Sequence, residues 1–183
     1  MTEEILVQCC APTLAGLKTG SLFSCPYSDQ GALQTDIRRL NQTLSSRGMR
    51  ILPLRYGKTH VLVYVFRPEL LQQDLKDKKA SAILKKAGYE DLGVYRCIRC
   101  LIERLRQSQD FPHEIGLFLS YPPEDVQGFI DNKAQNYKCI GYWKVYGDED
   151  KARRIFEIYK KCTDTYCRQY RAGCGLVRLA VAV

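Results

Sequence analysis

The chain has 183 residues, 45% of them hydrophobic and 26% charged, with a formal net charge of +8. That is enough apolar material to bury roughly two-thirds of the unfolded surface in one core, and no stretch has the polar, repetitive composition of a disordered segment. The longest strongly apolar run, Val61 to Phe66, falls far short of the ~20 residues a membrane-spanning helix needs. The opening Met1-Thr2-Glu3-Glu4 is acidic where a secretory leader is basic. The expectation is a single cytoplasmic domain over 1–183 that does not span a membrane, with nine cysteines kept as thiols or metal ligands instead of disulfides.

In chain order, Cys9-Cys10-Ala11-Pro12 comes first. Proline disfavours helix at the residue before it, which predicts a change of direction there and a Cys10 thiol that borders a pocket or sits in the core. Ser21 to Tyr27 reads as a short strand. Asp29 to Arg47 reads as a helix with Leu33, Ile37, Leu40 and Leu44 on one stripe, ended by Gly48. Arg50 to Arg55 and Thr59 to Phe66 read as a hairpin, the second strand apolar on both faces as a central strand is. Pro68 suits the first turn of a helix, Asp74 to Gly88 reads as one or two solvated helices, and Leu92 to Gln107 as another with Val94, Ile98, Leu101, Ile102 and Leu105 buried. Glu114 to Tyr121 is expected to be a strand, Pro122-Pro123-Glu124-Asp125 a helix start, and Tyr137 to Tyr146 a strand. Asp148 caps a long helix to about Arg171, closed by Gly173 and Gly175, and Leu176 to Val183 is expected to add a last strand.

This order predicts an α/β (α+β) fold, a mixed β-sheet of five or six strands with helices packed on it. Leu22-Phe23 precedes a helix and then Tyr56-Gly57, as Leu117-Phe118 precedes a helix and then Tyr146-Gly147. A duplicated βαβ unit and chance both account for that echo.

Chemistry has to be sought in the cysteines, the two histidines and the aromatic residues. Cys97 and Cys100 form a CxxC in mid-helix, not at the N-terminus where the dipole lowers a thiol's pKa, although Arg96 and Arg104 flank Cys100 and would favour its thiolate. Cys162 lies on the apolar stripe of the last long helix, Cys167 lies off it and Cys174 sits between two glycines. Cys97, Cys100, Cys167 and Cys174 are therefore the candidate metal ligands, in a spacing that matches neither a zinc finger nor the common iron–sulfur runs. A thiol nucleophile needs a base, and His113, followed by Glu114, is better placed than His60, so Cys10, His113 and Glu114 are the catalytic candidates. In a strand over Tyr137 to Tyr146, Cys139, Gly141 and Trp143 share one face. Gly141 would leave a gap beside Trp143 for a flat ligand or another side chain, making Trp143 and Tyr142 the candidates for cofactor contact. There is no GxGxxG and no P-loop, and Glu124-Asp125 and Asp148-Glu149-Asp150 would repel a phosphate from two helix starts. Basic clusters such as Lys76 to Lys86 and Arg96 to Arg106 read as solvated helix faces, so nucleic acid is a less favoured partner than another protein.

Three segments, Cys10-Ala11-Pro12-Thr13-Leu14-Ala15-Gly16-Leu17-Lys18, Phe111-Pro112-His113-Glu114-Ile115-Gly116 and Gly141-Tyr142-Trp143-Lys144-Val145-Tyr146-Gly147, resemble an uncharacterised bacterial family, catalogued as a domain of unknown function and found largely in anaerobic Firmicutes. The resemblance implies a stand-alone bacterial protein in a reducing cytoplasm and no particular activity. The sequence leaves three readings: a thiol-dependent accessory protein holding a thiolate-bound metal, a redox cofactor or a partner; a thiol-nucleophile enzyme using a cysteine near His113; and a basic nucleic-acid-binding module.

Overall fold

The structure is a computed structural model that describes residues 1–89, 93–107 and 111–182. Its elements are α1 (Glu3–Leu14), β1 (Gly20–Pro26), α2 (Gln30–Ser45), β2 (Arg50–Tyr56), β3 (His60–Phe66), α3 (Pro68–Lys76) and α4 (Lys78–Lys86). They continue with α5 (Val94–Gln107), α6 (Ile115–Phe118), α7 (Pro123–Asp131), β4 (Cys139–Ile140), β5 (Lys144–Val145), α8 (Glu149–Arg171) and α9 (Leu176–Leu179). The fold is α+β, as expected, with shorter sheets than expected: among the described residues, one of three strands and one of two, both antiparallel. The chain divides into two compact units, Met1–Glu69 with Tyr159–Val183, and Leu70–Ile158.

In the first unit β3 is the central strand, paired antiparallel with β1 on one side and β2 on the other, so β1 and β2 run parallel with β3 between them. The continuous apolar run of β3 follows from that position, because both faces of a central strand are covered. Val61, Val63 and Val65 join a core with Leu6, Cys10 and Leu14 of α1, with the α2 stripe Leu33, Ile37, Leu40 and Leu44, and with Leu176 and Leu179 of α9. Asp29 caps α2 by accepting from the Ala32 amide, and Gly48, at φ +69°, closes the turn after it.

Helix α1 passes through Pro12 instead of breaking there, with Cys10 wholly buried on its inner face. Only one more turn follows. Gly16 adopts φ +74°, and the amides of Leu17 and Gly16 return to the carbonyls of Pro12 and Thr13, a glycine-closed helix end. That end is fastened by Arg67, which is 2% exposed. Its Nε donates to Thr13 O (2.8 Å), Nη2 to Leu14 O (2.9 Å) and Val181 O (2.8 Å), and Nη1 to Arg47 O (3.0 Å). With no carboxylate paired to it among the described residues, this buried cation is sustained by four carbonyl dipoles, two of them at the negative end of α1.

Two expected strands are helical. Glu114 to Tyr121 contains α6, with Ser120 at φ +60° after it, and the segment between Pro112 and Pro122 leaves room for one turn and little more. Leu117, Phe118 and Leu119 are all buried, so the alternation that marks a half-buried strand is absent. Leu176 to Ala182 contains α9; Leu176, Leu179 and Ala180 are buried against α1 while Val177 and Val181 are exposed, a helical spacing that overrides the β-propensity of the valines. Val183, the last residue of the expected strand, and Leu92, the expected start of α5, lie outside the described residues. With Leu117-Phe118 in a helix, the duplicated βαβ unit does not form. Tyr137 to Tyr146 is likewise not one strand but the short hairpin β4–β5, turning at Gly141 to Trp143.

In the second unit Asp77 caps α4 through the amides of Lys79 and Ala80, and α4 packs on α7. Helix α5 buries Cys97, Ile98, Leu101 and Leu105; of the expected stripe Val94 and Ile102 are only half-buried, and Cys97 joins it instead.

Candidate functional site

The second unit is organised around a carboxylate that sequence reasoning treated only as a favourable charge at a helix start. Asp125 is in the first turn of α7 and only 3% exposed. Its Oδ2 accepts from the Trp143 indole Nε1 (2.7 Å), and its Oδ1 from the main-chain amides of Tyr146 and Gly147 (2.7 Å each). Three hydrogen bonds to one buried carboxylate fix hairpin β4–β5 against α7 and orient the indole. The same ring meets Tyr121 at 5.0 Å between centroids and Phe156 of α8 at 4.5 Å, nearly edge to face. The gap expected beside Gly141 is filled by Phe156: a Cβ at residue 141 would lie 2.3 Å from that ring, so only glycine fits.

On another side of Trp143 there is a cavity of about 300 Å³, at the small end of the range for ligand pockets, roughly 300–1,000 Å³. Trp143, Tyr142, Tyr121, Phe129, His113 and Lys144 supply its aromatic and polar lining. His113 meets the Phe129 ring edge-on at 5.1 Å. The Lys144 ammonium donates to Ala134 O (2.8 Å) and lies 4.8 Å from the Tyr137 ring centroid and 5.8 Å from that of Phe129. Phe111, Ile140 and Tyr142 are between 40% and 63% exposed, leaving apolar surface on the lining itself.

Glu114, 3% exposed, is the other buried carboxylate among the unit's described residues. Its Oε1 accepts from the Tyr89 hydroxyl (3.1 Å) and contacts Arg104 Nε at 2.7 Å, an approach too far off the N–H axis to count as a hydrogen bond. Arg104 Nη1 donates to Ala87 O at the end of α4 (2.8 Å), so this network ties α5 to α4. Burial and the Glu114 charge hold the Tyr89 hydroxyl well above its ordinary range, so it stays a donor.

The candidates named from the sequence separate along these lines. His113, Tyr142 and Trp143 line the aromatic cavity and Glu114 the one beside it. Cys10 is in the lining of neither of these cavities: it is wholly buried in the first unit, where burial raises its pKa steeply, whereas His113 belongs to the second unit. Cys97 is buried and Cys100 half-buried in the second unit, and Cys167 and Cys174 are half-buried against the core of the first. Cys100 does not gain the thiolate expected from its arginines. Burial raises its pKa, and Arg104, which opposes this, is already engaged by Glu114. Among the described residues no three His, Cys, Asp or Glu side chains converge on a point where a metal would sit. The exposed thiol is Cys9, not the Cys10 that the sequence singled out; on a continuous α1 the two point to different sides.

A family model for a protein of unknown function, DUF3793, matches residues 6–180. The chain belongs to the DUF3793 family. No curated protein and no solved structure matches this DUF3793 chain. Two of the segments on which the resemblance rested, Phe111 to Gly116 and Gly141 to Gly147, supply walls of the aromatic cavity. Among its described residues no helix is long and apolar enough to cross a membrane.

Proposed function

We propose that this protein is a cytoplasmic binding protein for a small planar, largely apolar molecule, held in the unit Leu70–Ile158. The observation that carries the reading is the lining: the chain's single tryptophan, held by Asp125, which also lines the space, faces a cavity of about 300 Å³ together with Tyr121, Phe129 and Tyr142. Aromatic walls held by side-chain and main-chain hydrogen bonds need little rearrangement to accept a flat molecule, so little of the contact energy is lost to ordering. His113 and Lys144 add polar groups that orient a substituent.

The thiol-dependent reading draws less support. Burial raises the pKa of Cys9, Cys10, Cys25, Cys100, Cys139 and Cys162, which favours unreactive thiols, and the aromatic cavity has no cysteine in its lining. The nucleic-acid reading retains only the net charge.

Trp143 reports occupancy directly. Titration with 4-nitroaniline, a neutral planar quencher of tryptophan emission, is expected to quench saturably with a Kd on the order of 0.1–1 mM, as a ligand of about ten non-hydrogen atoms allows. Phe129→Ala and Tyr142→Ala should each weaken binding about five-fold or more. Quenching that rises linearly without saturation, and equally in both variants, would refute the proposal.

A further inference from the structure

A second cavity of about 520 Å³ shares Phe111, Pro112 and His113 with the aromatic one, so the same three residues wall both. Its polar groups differ in kind. Glu114 is nine-tenths buried or more and lines it, with Oε1 occupied by Tyr89 and Arg104 while Oε2 receives no hydrogen bond among the described residues. A carboxylate offers about four acceptor positions, and Oε2 is not among the fully buried atoms without a partner, so it keeps accessible surface on the cavity that Glu114 lines. The clamp between α5 and α4 engages Oε1. It leaves Oε2 open to accept from a ligand.

Lys86, exposed and with no ion pair among the described residues, lies on the same cavity, as does Arg104, whose side chain is 40% exposed. Among the described residues the cavity therefore presents one carboxylate with an open oxygen and two cations, only one of which that carboxylate contacts. An anion alone would meet the Glu114 charge, and an amine alone would meet Lys86. A head group bearing both an ammonium and a carboxylate satisfies both sites.

We infer that the ligand is a free aromatic α-amino acid. Its ring occupies the aromatic cavity, and its head group passes Phe111, Pro112 and His113 into the second, the ammonium donating to Glu114 Oε2 and the carboxylate pairing with Lys86. This deepens the binding reading above and rests on it.

The test uses the full chain and four probes, followed by calorimetry and by the chemical shift of the Trp143 indole: L-phenylalanine, 3-phenylpropionate, phenethylamine and uncharged benzyl alcohol. Phenylalanine should bind at least ten-fold more tightly than either singly charged relative. Glu114→Gln, which keeps the shape and the Tyr89 contact, should weaken phenylalanine about ten-fold and leave 3-phenylpropionate unchanged or improved. Lys86→Ala, on an exposed residue that folding does not require, should weaken phenylalanine and 3-phenylpropionate and spare phenethylamine. Phenylalanine binding no better than its relatives, or unaffected by both substitutions, overturns the amino-acid inference alone if benzyl alcohol still shifts the Trp143 signal. If none of the four probes shifts it, the aromatic cavity is not a binding site and both readings fall.

Discussion

In the unit formed by Met1–Glu69 and Tyr159–Val183 the principal buried charge, Arg67, directs its N–H groups at four main-chain carbonyls. In Leu70–Ile158 the buried charges Asp125 and Glu114 engage an indole, a phenol, a guanidinium and two amides, and each stands beside a cavity. Carbonyls satisfied by a guanidinium close a backbone junction, using four of its five N–H donors. Carboxylates satisfied by side chains hold up walls, and at Glu114 an oxygen remains. The first unit's polar interior thus serves packing, while the second's positions groups around space.

The contrast breaks first at Arg67. Arg67→Met keeps the volume but removes four hydrogen bonds; Thr13 O keeps the Gly16 amide and Leu14 O the Val181 amide, while Arg47 O and Val181 O lose their guanidinium partner. With about 1–3 kcal/mol for each stranded carbonyl and about 1 kcal/mol for each other lost bond, the expected loss is at least about 3 kcal/mol, read as a lower midpoint in urea unfolding. A loss below about 1 kcal/mol would mean that water or a relaxed backbone replaces the guanidinium.

Asp125→Asn comes next. The amide can accept on one side only and must present N–H groups either to the indole or to the amides of Tyr146 and Gly147. A loss of about 2–3 kcal/mol is expected, together with a red shift of Trp143 emission as the ring loosens; an unchanged spectrum would show that the aromatic contacts alone hold the hairpin.

Gly141→Ala should cost about 1–3 kcal/mol, because the added methyl overlaps the Phe156 ring and overpacking costs this much. Gly141 itself lines the cavity and Phe156 packs against two of its walls, Trp143 at 4.5 Å and Tyr142 at 5.7 Å between centroids, so 4-nitroaniline affinity is expected to fall two-fold or more; an unchanged affinity would show that both walls hold their positions without Phe156.

The smallest effect is on pH. Burial raises the Cys162 thiol from its ordinary 9.0 to about 11. The folded state therefore keeps a proton that the unfolded chain has released, and this contribution to stability is complete below about pH 9 and disappears as pH rises towards 11. Lys18 works the other way: burial lowers it from 10.5 to about 8, so the folded state binds fewer protons and stability rises across that interval. Unfolding midpoints measured from pH 8 to 11 should fall less steeply at the alkaline end in Cys162→Ser, and Lys18→Met should remove the opposing rise; profiles identical to the parent would contradict these assignments.

Much of the first unit was legible because each element's burial leaves a plain mark in the sequence. The Leu33, Ile37, Leu40 and Leu44 stripe leaves a helical period, and the doubly covered β3 leaves a continuous apolar run. Leu117 to Leu119 is buried all round and Leu176 to Val181 is one turn long, too little chain for a period to show, and both were read as strands. His113, Trp143 and Tyr142 stood out by residue type and do line the aromatic cavity. Phe129 and Tyr121 did not, since nothing local indicates that they meet Trp143. Asp125 and Glu114 lie beside helix starts or candidate bases, where a carboxylate is unremarkable, and only the hairpin and α5 folding back onto them bury their charge. The cysteines drew attention by number, yet in a thiol-rich chain most of them fill space as small apolar side chains.

The central claim is that the cavity beside Trp143 is a site and not a packing void. In a nitrogen-15 correlation spectrum the chain's single tryptophan gives one indole N–H signal, from the group bound to Asp125. Titration with L-phenylalanine is predicted to move that signal along a saturable curve, and Phe129→Ala to shift the curve to higher concentration. An indole signal that stays in place at millimolar phenylalanine and benzyl alcohol, in a protein whose other signals show it folded, would contradict the account.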